Sequence, residues 1–166
     1  MLDRLLMPLT FLTALGSGLV AGVFFAFSSF VMKALAKLPP AQGIAAMQSI
    51  NVVVINPLFM SVLFGTAAGC LAIAIQSGLR WNEPGAAWRL ASALIYLVGV
   101  IGVTIVCNVP RNDALATLDP TAPDSARLWA EYVSSWVAWN HVRTIGSLLA
   151  AAGFVWAMAA GRNLTR

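Results

Sequence analysis

The chain has 166 residues, of which 60% are hydrophobic and 10% are charged, and its formal net charge is +4. Soluble domains carry about 25% charged residues, so this composition excludes a water-soluble domain and predicts an integral membrane protein. The ten basic residues are scattered without a run of lysine or arginine, which argues against nucleic-acid binding, because that function needs a clustered basic face.

The cysteine and histidine content predicts neither a metal site nor haem. Cys70 and Cys107 form no C-x-x-C pair, and His141 is the one histidine in the sequence. One histidine cannot build a histidine-rich metal site. We therefore predict no metal and no cofactor. We also predict no disulfide, because the two cysteines fall at different depths of their apolar segments.

The first predicted transmembrane helix covers residues 5–31, which exceeds the roughly 20 residues that a membrane span needs. Small residues recur in it at every fourth position: Ala14, Gly18, Gly22 and Ala26. This spacing lets two membrane helices approach closely. We therefore expect the stripe to form a helix contact and, alternatively, to support a homo-oligomer.

The second predicted helix covers residues 57–76. Asn56 is a candidate N-cap, and Pro57 suits the first helical position because its missing N–H would be unpaired there. Ser61, Gly65 and Gly69 form a second stripe of small residues. We expect the first two helices to pack on each other. Between them, residues 32–56 contain apolar positions at helical spacing, which predicts a short helix at the interface or folded into the mouth of the bundle.

The third and fourth predicted helices cover residues 86–107 and 124–161. The third is expected to end in NVPRN, because Pro110 disfavours helix at the preceding residue. The fourth begins near Asp124 and is expected to project out of the bilayer. Four of its aromatic residues are predicted to form a belt at the water boundary: Trp129, Tyr132, Trp136 and Trp139.

The resulting fold is all-α. It is a single domain, residues 1–166, that forms a four-transmembrane-helix bundle with short interfacial helices in the two long loops on one side. Those two loops open at the same end, which gathers polar residues from distant segments: Asn51, Asn56, Asn108, Arg111, Asn112, Asn140, His141 and Arg143. Two arginines, a histidine and several amides with little acid suit an anionic or electron-rich ligand.

Simpler interpretations remain open for each of these residues. Arg111 and Arg143 are long enough to extend their charges to the interface. Asn56 is explained by capping alone, and Asn108 and Asn112 by bonds to the backbone around Pro110. His141 is explained by a bond to a carbonyl group at a helix end. In that case the protein is a non-catalytic membrane module that binds a lipid, a quinone or a partner helix.

Four sequence blocks, in order, carry a resemblance to a known family. They are GLVAGVFFAFSSFVMKALAKLP, AMQSINVVVINPLFM, VCNVPRNDALA and WVAWNHVRT. Together they resemble the small four-helix membrane family that contains the anthrone oxygenases. Members with known activity oxidise an anthrone to an anthraquinone with O₂, without flavin, haem or evident metal. The resemblance implies a lipophilic aromatic substrate, O₂ as co-substrate and, because most members are bacterial, an inner-membrane location.

The resemblance also implies roles for the clustered residues. His141 would be the base, because histidine titrates near neutral pH, and Arg143 and Arg111 would stabilise the substrate anion. The predicted substrate-binding residues are Asn51, Asn56, Asn108, Asn112, Trp136 and Asn140.

The orientation in the membrane is predicted from the basic residues, because Lys and Arg are in excess on the cytoplasmic side of membrane proteins. The basic residues divide equally between the two ends of the bundle. When Arg111 and Arg143 are set aside as site residues, the excess lies at the end that holds the termini, which predicts that both termini are cytoplasmic.

Overall fold

A computed structural model describes residues 2–163 of the chain, with side chains described for residues 5–160. This part is mostly helical and contains no strand. It contains seven α-helices: α1 Leu2–Ala26, α2 Met32–Leu35, α3 Pro40–Val53, α4 Pro57–Leu79, α5 Ala86–Tyr96, α6 Val109–Ala116 and α7 Ser125–Asn163. Three π-helical segments lie between α-helices. Phe27–Val31 connects α1 to α2, and Leu97–Gly102 and Thr104–Asn108 both lie between α5 and α6.

Four segments of the described chain are long and apolar enough to cross a membrane: Leu5–Leu35, Pro57–Leu79, Ala86–Ala116 and Ser125–Ala160. They confirm the predicted all-α class with four transmembrane helices. The predicted helix in the first long connection is α3, and the second long connection contains α6. Cys70 and Cys107 are both free thiols.

The third span does not end at NVPRN, as the sequence predicted, but continues through Pro110 to Ala116. Proline lacks an N–H, and its ring clashes with the carbonyl group four residues earlier in a regular α-helix. Here the π-helical segment Thr104–Asn108 ends two residues before the proline, where its wider turn changes the hydrogen-bond register. Pro110 also occupies the first turn of α6, where its missing N–H is tolerated.

Helices α1 and α4 pack on each other through two reciprocal contacts. A side chain at Gly16 would collide with Thr66, and one at Gly69 would collide with Thr13. The predicted contact between the first two helices is therefore present, but the α1 stripe at Gly18 and Gly22 does not make it. Both of these glycines are exposed, and no described atom lies within 4 Å of the place that a Cβ would take at either one.

The turn between α4 and α5 is held by a buried arginine. Gly85 has φ +77° and lies against the carbonyl oxygen of Ala157, where any side chain would collide. Arg89 is 8% exposed; its Nε donates to Ser77 Oγ at 3.3 Å and its Nη1 to the Pro84 carbonyl at 3.1 Å. Its Nη2 lies 3.6 Å from a carboxylate oxygen of Glu83. The guanidinium therefore ties the turn to both helices.

The buried side chains form two cores. A bundle core occupies the middle of the four spans: Ala14, Val20, Phe24, Leu63, Cys70, Ile73, Ala93, Tyr96, Val100, Ala150 and Phe154. A mouth core occupies one end, between α3, α6 and the first half of α7: Met32, Ile44, Met47, Leu115, Trp129, Tyr132 and Trp136. The site described below lies where the two cores meet.

The mouth core corrects the predicted aromatic belt. Trp129, Tyr132 and Trp136 are buried rather than placed at the interface, whereas Trp139 is 37% exposed. The cause is α3, which folds over α7: Gly43 of α3 lies against the Trp129 ring, where a Cβ would come within 2.9 Å of it. The Trp129 and Tyr132 rings stack with centroids 5.6 Å apart.

The predicted orientation in the membrane rested partly on Arg4, Arg162 and Arg166. Their side chains lie outside the described ones, so the orientation stays a prediction.

Candidate functional site

A cavity of about 240 Å³ lies between the two cores. Phe24, Phe27 and Leu63 contribute to one wall, and Met47 and Trp136 of the mouth core contribute to another. The remaining lining is mostly aliphatic, and its polar side chains are Asn51, Thr104, Asn112 and Arg143. The cavity is thus a largely apolar space with a few polar groups, which is the usual composition of a small-molecule site.

Arg143 is the charged group of this cavity and is 5% exposed. Its Nη2 donates to Asn140 Oδ1 at 2.7 Å, and its Nη1 reaches Thr104 Oγ1 at 3.4 Å. The guanidinium carbon lies 4.2 Å from the centroid of the Phe24 ring and 5.1 Å from that of Trp136. Aromatic faces attract a cation at such distances, so the cation is held between two rings.

Arg143 takes part in no ion pair within the described chain, and its Nε has no hydrogen-bond partner there. Burying a charge is costly unless it is paired and hydrogen-bonded. Two cation–π contacts and two neutral acceptors compensate only part of that cost. The cavity therefore presents a cation that an anionic ligand would pair with favourably.

Asn140 positions this guanidinium. Its Nδ2 donates to the Phe24 carbonyl and to Ser28 Oγ, both at 2.7 Å, while its Oδ1 accepts from Arg143. Ser28 belongs to the π-helical segment Phe27–Val31, and Thr144 Oγ1 lies 3.4 Å from its hydroxyl. Asn140 thus uses both ends of its amide within the protein to orient Arg143, and it is not among the residues that line the cavity.

Asn112 fixes the aromatic wall. Its Oδ1 accepts from the Tyr132 hydroxyl at 3.0 Å and from Trp136 Nε1 at 2.8 Å. Asn108 Nδ2 donates to the Trp136 carbonyl at 3.2 Å. Asn108 Oδ1 and the Nδ2 of Asn51 are buried without a hydrogen-bond partner in the described chain. Of these two, Asn51 lines the cavity and offers a ligand a donor.

Two predicted site residues lie elsewhere. Asn56 caps α4: its Oδ1 accepts from the Phe59 amide at 3.0 Å, and its Nδ2 donates to the Val53 carbonyl at 3.0 Å. Arg111 donates to the Cys107 carbonyl at 2.5 Å and lines a separate cleft of about 210 Å³ between α6 and α7, beside Glu131. Helix α6 continues the third span, and Arg111 does not line the cavity that holds Arg143.

His141 is exposed, does not line the cavity and makes no hydrogen bond within the described part of the chain. The expectation that it points into a pocket shared with Arg111 and Asn108 is therefore corrected. The reason is helical geometry. Successive residues of an α-helix are rotated by about 100°, so His141 lies about 200° from Arg143, which faces inward. A base role for His141 stays a prediction without support from its position.

Sequence reasoning missed three members of the site: Phe24, Ser28 and Thr104. Phe24 is one apolar residue among many in an apolar helix, so nothing in the sequence marks its ring as a partner of Arg143. Ser28 and Thr104 carried a weak signal, because each is a hydroxyl residue within an apolar span close to a motif block. Hydroxyl side chains bond so often to their own helix that this signal is not specific.

Comparison of the sequence with models of known protein families identifies the family of this chain. A family model described as anthrone oxygenase matches residues 53–153, which is more than half of the chain. The chain belongs to the anthrone oxygenase family. The matched range includes Arg143, Asn140, Asn112 and Trp136, whereas Asn51 and the α1 residues precede it. No curated protein and no solved structure matches the chain.

Proposed function

We propose that this member of the anthrone oxygenase family is a cofactor-independent oxygenase for a lipophilic aromatic molecule of the anthrone or quinol type. The substrate anion would be held against Arg143. The observation that carries the proposal is the buried Arg143 guanidinium, which faces an apolar cavity and has no carboxylate partner in the described chain.

The first step is ionisation of the substrate. An anthrone is a carbon acid, and loss of a proton from its CH₂ group gives a delocalised anion. A cation fixed in a dry site favours that charged form and so lowers the pKa of the substrate. Water at the cavity mouth takes the proton. His141 has no part in this step, because its side chain is exposed outside the cavity.

The second step is the reaction of the anion with O₂. The anion gives one electron to O₂, and the resulting radical and superoxide combine to form a C–O bond. Protonation and loss of water from this peroxide then give the quinone. In total, the CH₂ group and one O₂ become a C=O group and one H₂O. An apolar cavity suits this chemistry because it dissolves O₂ and excludes water from the anion.

The aromatic walls would orient the flat substrate. The Phe27 and Trp136 rings lie 5.8 Å apart between centroids, and the Trp136 ring is fixed by its bond to Asn112. Aromatic pairs prefer offset or edge contacts over this range of distances. A substrate ring in contact with Trp136 would have its oxygen substituent near Arg143 Nε and the Asn51 amide.

Oxygen consumption by the purified protein with an anthrone tests the proposal. Arg143→Met should lower the rate by about 100-fold, the size of effect seen when one donor to a developing oxyanion is removed. The matched control is Arg111→Met, because Arg111 lies in a different cleft, and it should retain the wild-type rate within about threefold. Full turnover by Arg143→Met would contradict the proposal.

The second candidate function is binding without catalysis, of a quinone or lipid anion. The buried Arg143 guanidinium in an apolar cavity supports it as well, because that arrangement binds an anion whether or not O₂ reacts there. The same assay separates the two functions. A binding protein would take up the ligand through Arg143 and consume no O₂ with any anthrone.

We further propose that the protein lies in a bacterial inner membrane with both termini in the cytoplasm. Support comes from the basic residues of the sequence, which are in excess on the side of the termini when Arg111 and Arg143 are set aside as site residues. Asn82→Cys in that turn should resist an impermeant maleimide in intact cells. Asp119→Cys, at the opposite end, should react. The reverse labelling pattern would invert the orientation.

A further inference from the structure

An apolar groove runs along the outer surface between α1 and α4, with a volume of about 700 Å³. Its rim includes Leu12, Leu15 and Leu19, which are all more than half exposed. Its floor includes Thr13 and Thr66, at the two contacts where the helices approach each other. Thr13 donates to the Leu9 carbonyl of its own helix at 2.8 Å, so its hydroxyl is already bonded. The groove is therefore suited to hydrocarbon.

The groove is continuous with the Arg143 cavity. A hollow of about 350 Å³ lies between them. It shares Leu19 and Val62 with the groove, and it shares Val23 and Phe59 with the cavity. Shared lining residues mean that the three spaces adjoin one another. The groove thus adjoins the cavity that holds the guanidinium through a hollow whose lining is apolar except for Asn56.

The groove and the hollow together extend along much of α1. From Leu9 to Val23 they follow about 21 Å of α1, at 1.5 Å per residue. Gly65 lines the groove, and no described atom lies within 4 Å of the position that its Cβ would occupy. The absence of a side chain at Gly65 therefore keeps the groove open, and the backbone packing does not require glycine there.

We propose that the groove holds the hydrocarbon tail of the same molecule whose anionic head is bound at Arg143. The substrate would then be an alkylated hydroxy-aromatic or quinone-type anion that reaches the cavity sideways from the bilayer, between α1 and α4. This inference rests on the proposed function, because it assumes that Arg143 binds the head.

Continuity with the cavity favours a tail over a second copy of the chain as the occupant. A transmembrane helix has a diameter of about 10–12 Å with its side chains, so a partner helix would cover the groove without following it to Arg143. A single hydrocarbon chain is thin enough to follow the groove, pass Val23 and Phe59, and leave its head in the cavity.

The test uses two glycines of the same helix. Gly65→Leu fills the groove. Gly78→Leu adds the same side chain at an exposed position of α4 outside the groove, where a Cβ also has no described atom within 4 Å. Binding would be measured in lipid nanodiscs by equilibrium dialysis of an anionic hydroxynaphthoquinone, with and without a dodecyl chain. Lipid content is kept constant, so that partitioning into lipid cancels between protein variants.

Gly65→Leu should weaken binding of the dodecyl compound by about tenfold, or about 1.4 kcal/mol, which equals roughly two buried methylene groups. It should change binding of the tailless compound by less than about twofold, and Gly78→Leu should affect neither. Equal affinity of wild type and Gly65→Leu for the dodecyl compound would overturn the inference. So would equal weakening of both compounds together with a changed oligomeric state, which would identify the groove as a subunit contact.

The same binding assay tests the head site at Arg143 and the tail groove separately. Arg143→Met should weaken both compounds, because both carry the anionic head. If Arg143→Met has no effect while Gly65→Leu still discriminates between them, the groove binds tails but the proposed function is wrong. If Arg143→Met weakens both and Gly65→Leu weakens neither, the head site stands and the tail groove is rejected.

Discussion

Two buried arginines, at opposite ends of the bundle, differ in what surrounds them. Arg89 lies near the carboxylate of Glu83 and donates to Ser77 and Pro84. Arg143 lies between two aromatic rings, and no carboxylate of the described side chains is paired with it. Arg89 is explained by the turn that it holds. Arg143 has no comparable structural explanation, and this difference indicates which arginine serves a ligand.

Exchanging each arginine for methionine should produce opposite phenotypes, and this is the largest expected effect. Arg143→Met should lose about 100-fold in oxygenase rate while its thermal stability changes little, because it removes an incompletely compensated charge. Arg89→Met should cost about 2 kcal/mol of stability, a fall in Tm of about 4–8 °C. Activity and Tm measured on both purified variants would check that one variant loses activity and the other loses stability. A large fall in the Tm of Arg143→Met would contradict this prediction.

Supplying a carboxylate should make Arg143 resemble Arg89. Thr104 Oγ1 lies 3.4 Å from Arg143 Nη1, so Thr104→Asp would form an internal ion pair. That pair should weaken binding of the anionic hydroxynaphthoquinone by at least about tenfold, because charge-assisted hydrogen bonds contribute about 1.5–3 kcal/mol. The neutral control, Thr104→Asn, should bind within about threefold of wild type. Unchanged binding by Thr104→Asp would mean that the ligand does not use the guanidinium.

Aromatic rings flank Arg143 but not Arg89 within the described side chains. Asn112 holds one of these rings, that of Trp136, in place. Asn112→Leu removes the acceptor for the Trp136 Nε1 and Tyr132 hydroxyl groups. Freed from this bond, the Trp136 ring should lose its fixed position, raising KM about three- to tenfold with a smaller change in kcat. Steady-state kinetics would measure the changes in KM and in kcat separately. A loss confined to kcat would assign Asn112 to the chemical step instead.

The smallest effect is expected at His141. Because its side chain is exposed outside the cavity, His141→Ala should retain the oxygenase rate within about twofold. A tenfold loss would return His141 to the role of base that the family resemblance implies.

The four spans were predictable because they depend on how apolar each segment is. So was the cap at Asn56, which depends on a local pair of residues. Arg143 and Asn140 were both assigned to the polar cluster at one end of the bundle, and the structure joins them by a hydrogen bond. Apolar composition and local sequence were enough for these features.

The errors share a physical cause. Apolar residues that face lipid and those that face protein have the same composition, so the sequence did not show that α3 covers Trp129 and Trp136. Arg111 lies in a separate cleft on α6, where the third span continues past Pro110 after a π-helical segment that has no clear sequence signature. His141 was assigned to the same polar cluster as Arg143, but a separation of two residues puts the two side chains about 200° apart around the helix.

The π-helical segments have a consequence for changes in chain length. Phe27–Val31 and Thr104–Asn108 adjoin the Arg143 site in two different spans. Each carries more residues per turn than a regular helix. Deleting one residue from either would restore ordinary winding and leave the rest of that span nearly in its present orientation, because the widened turn accommodates one extra residue. A single-residue deletion should therefore rotate the far end of the span less in these segments than in a regular turn, where it would rotate it by about 100°.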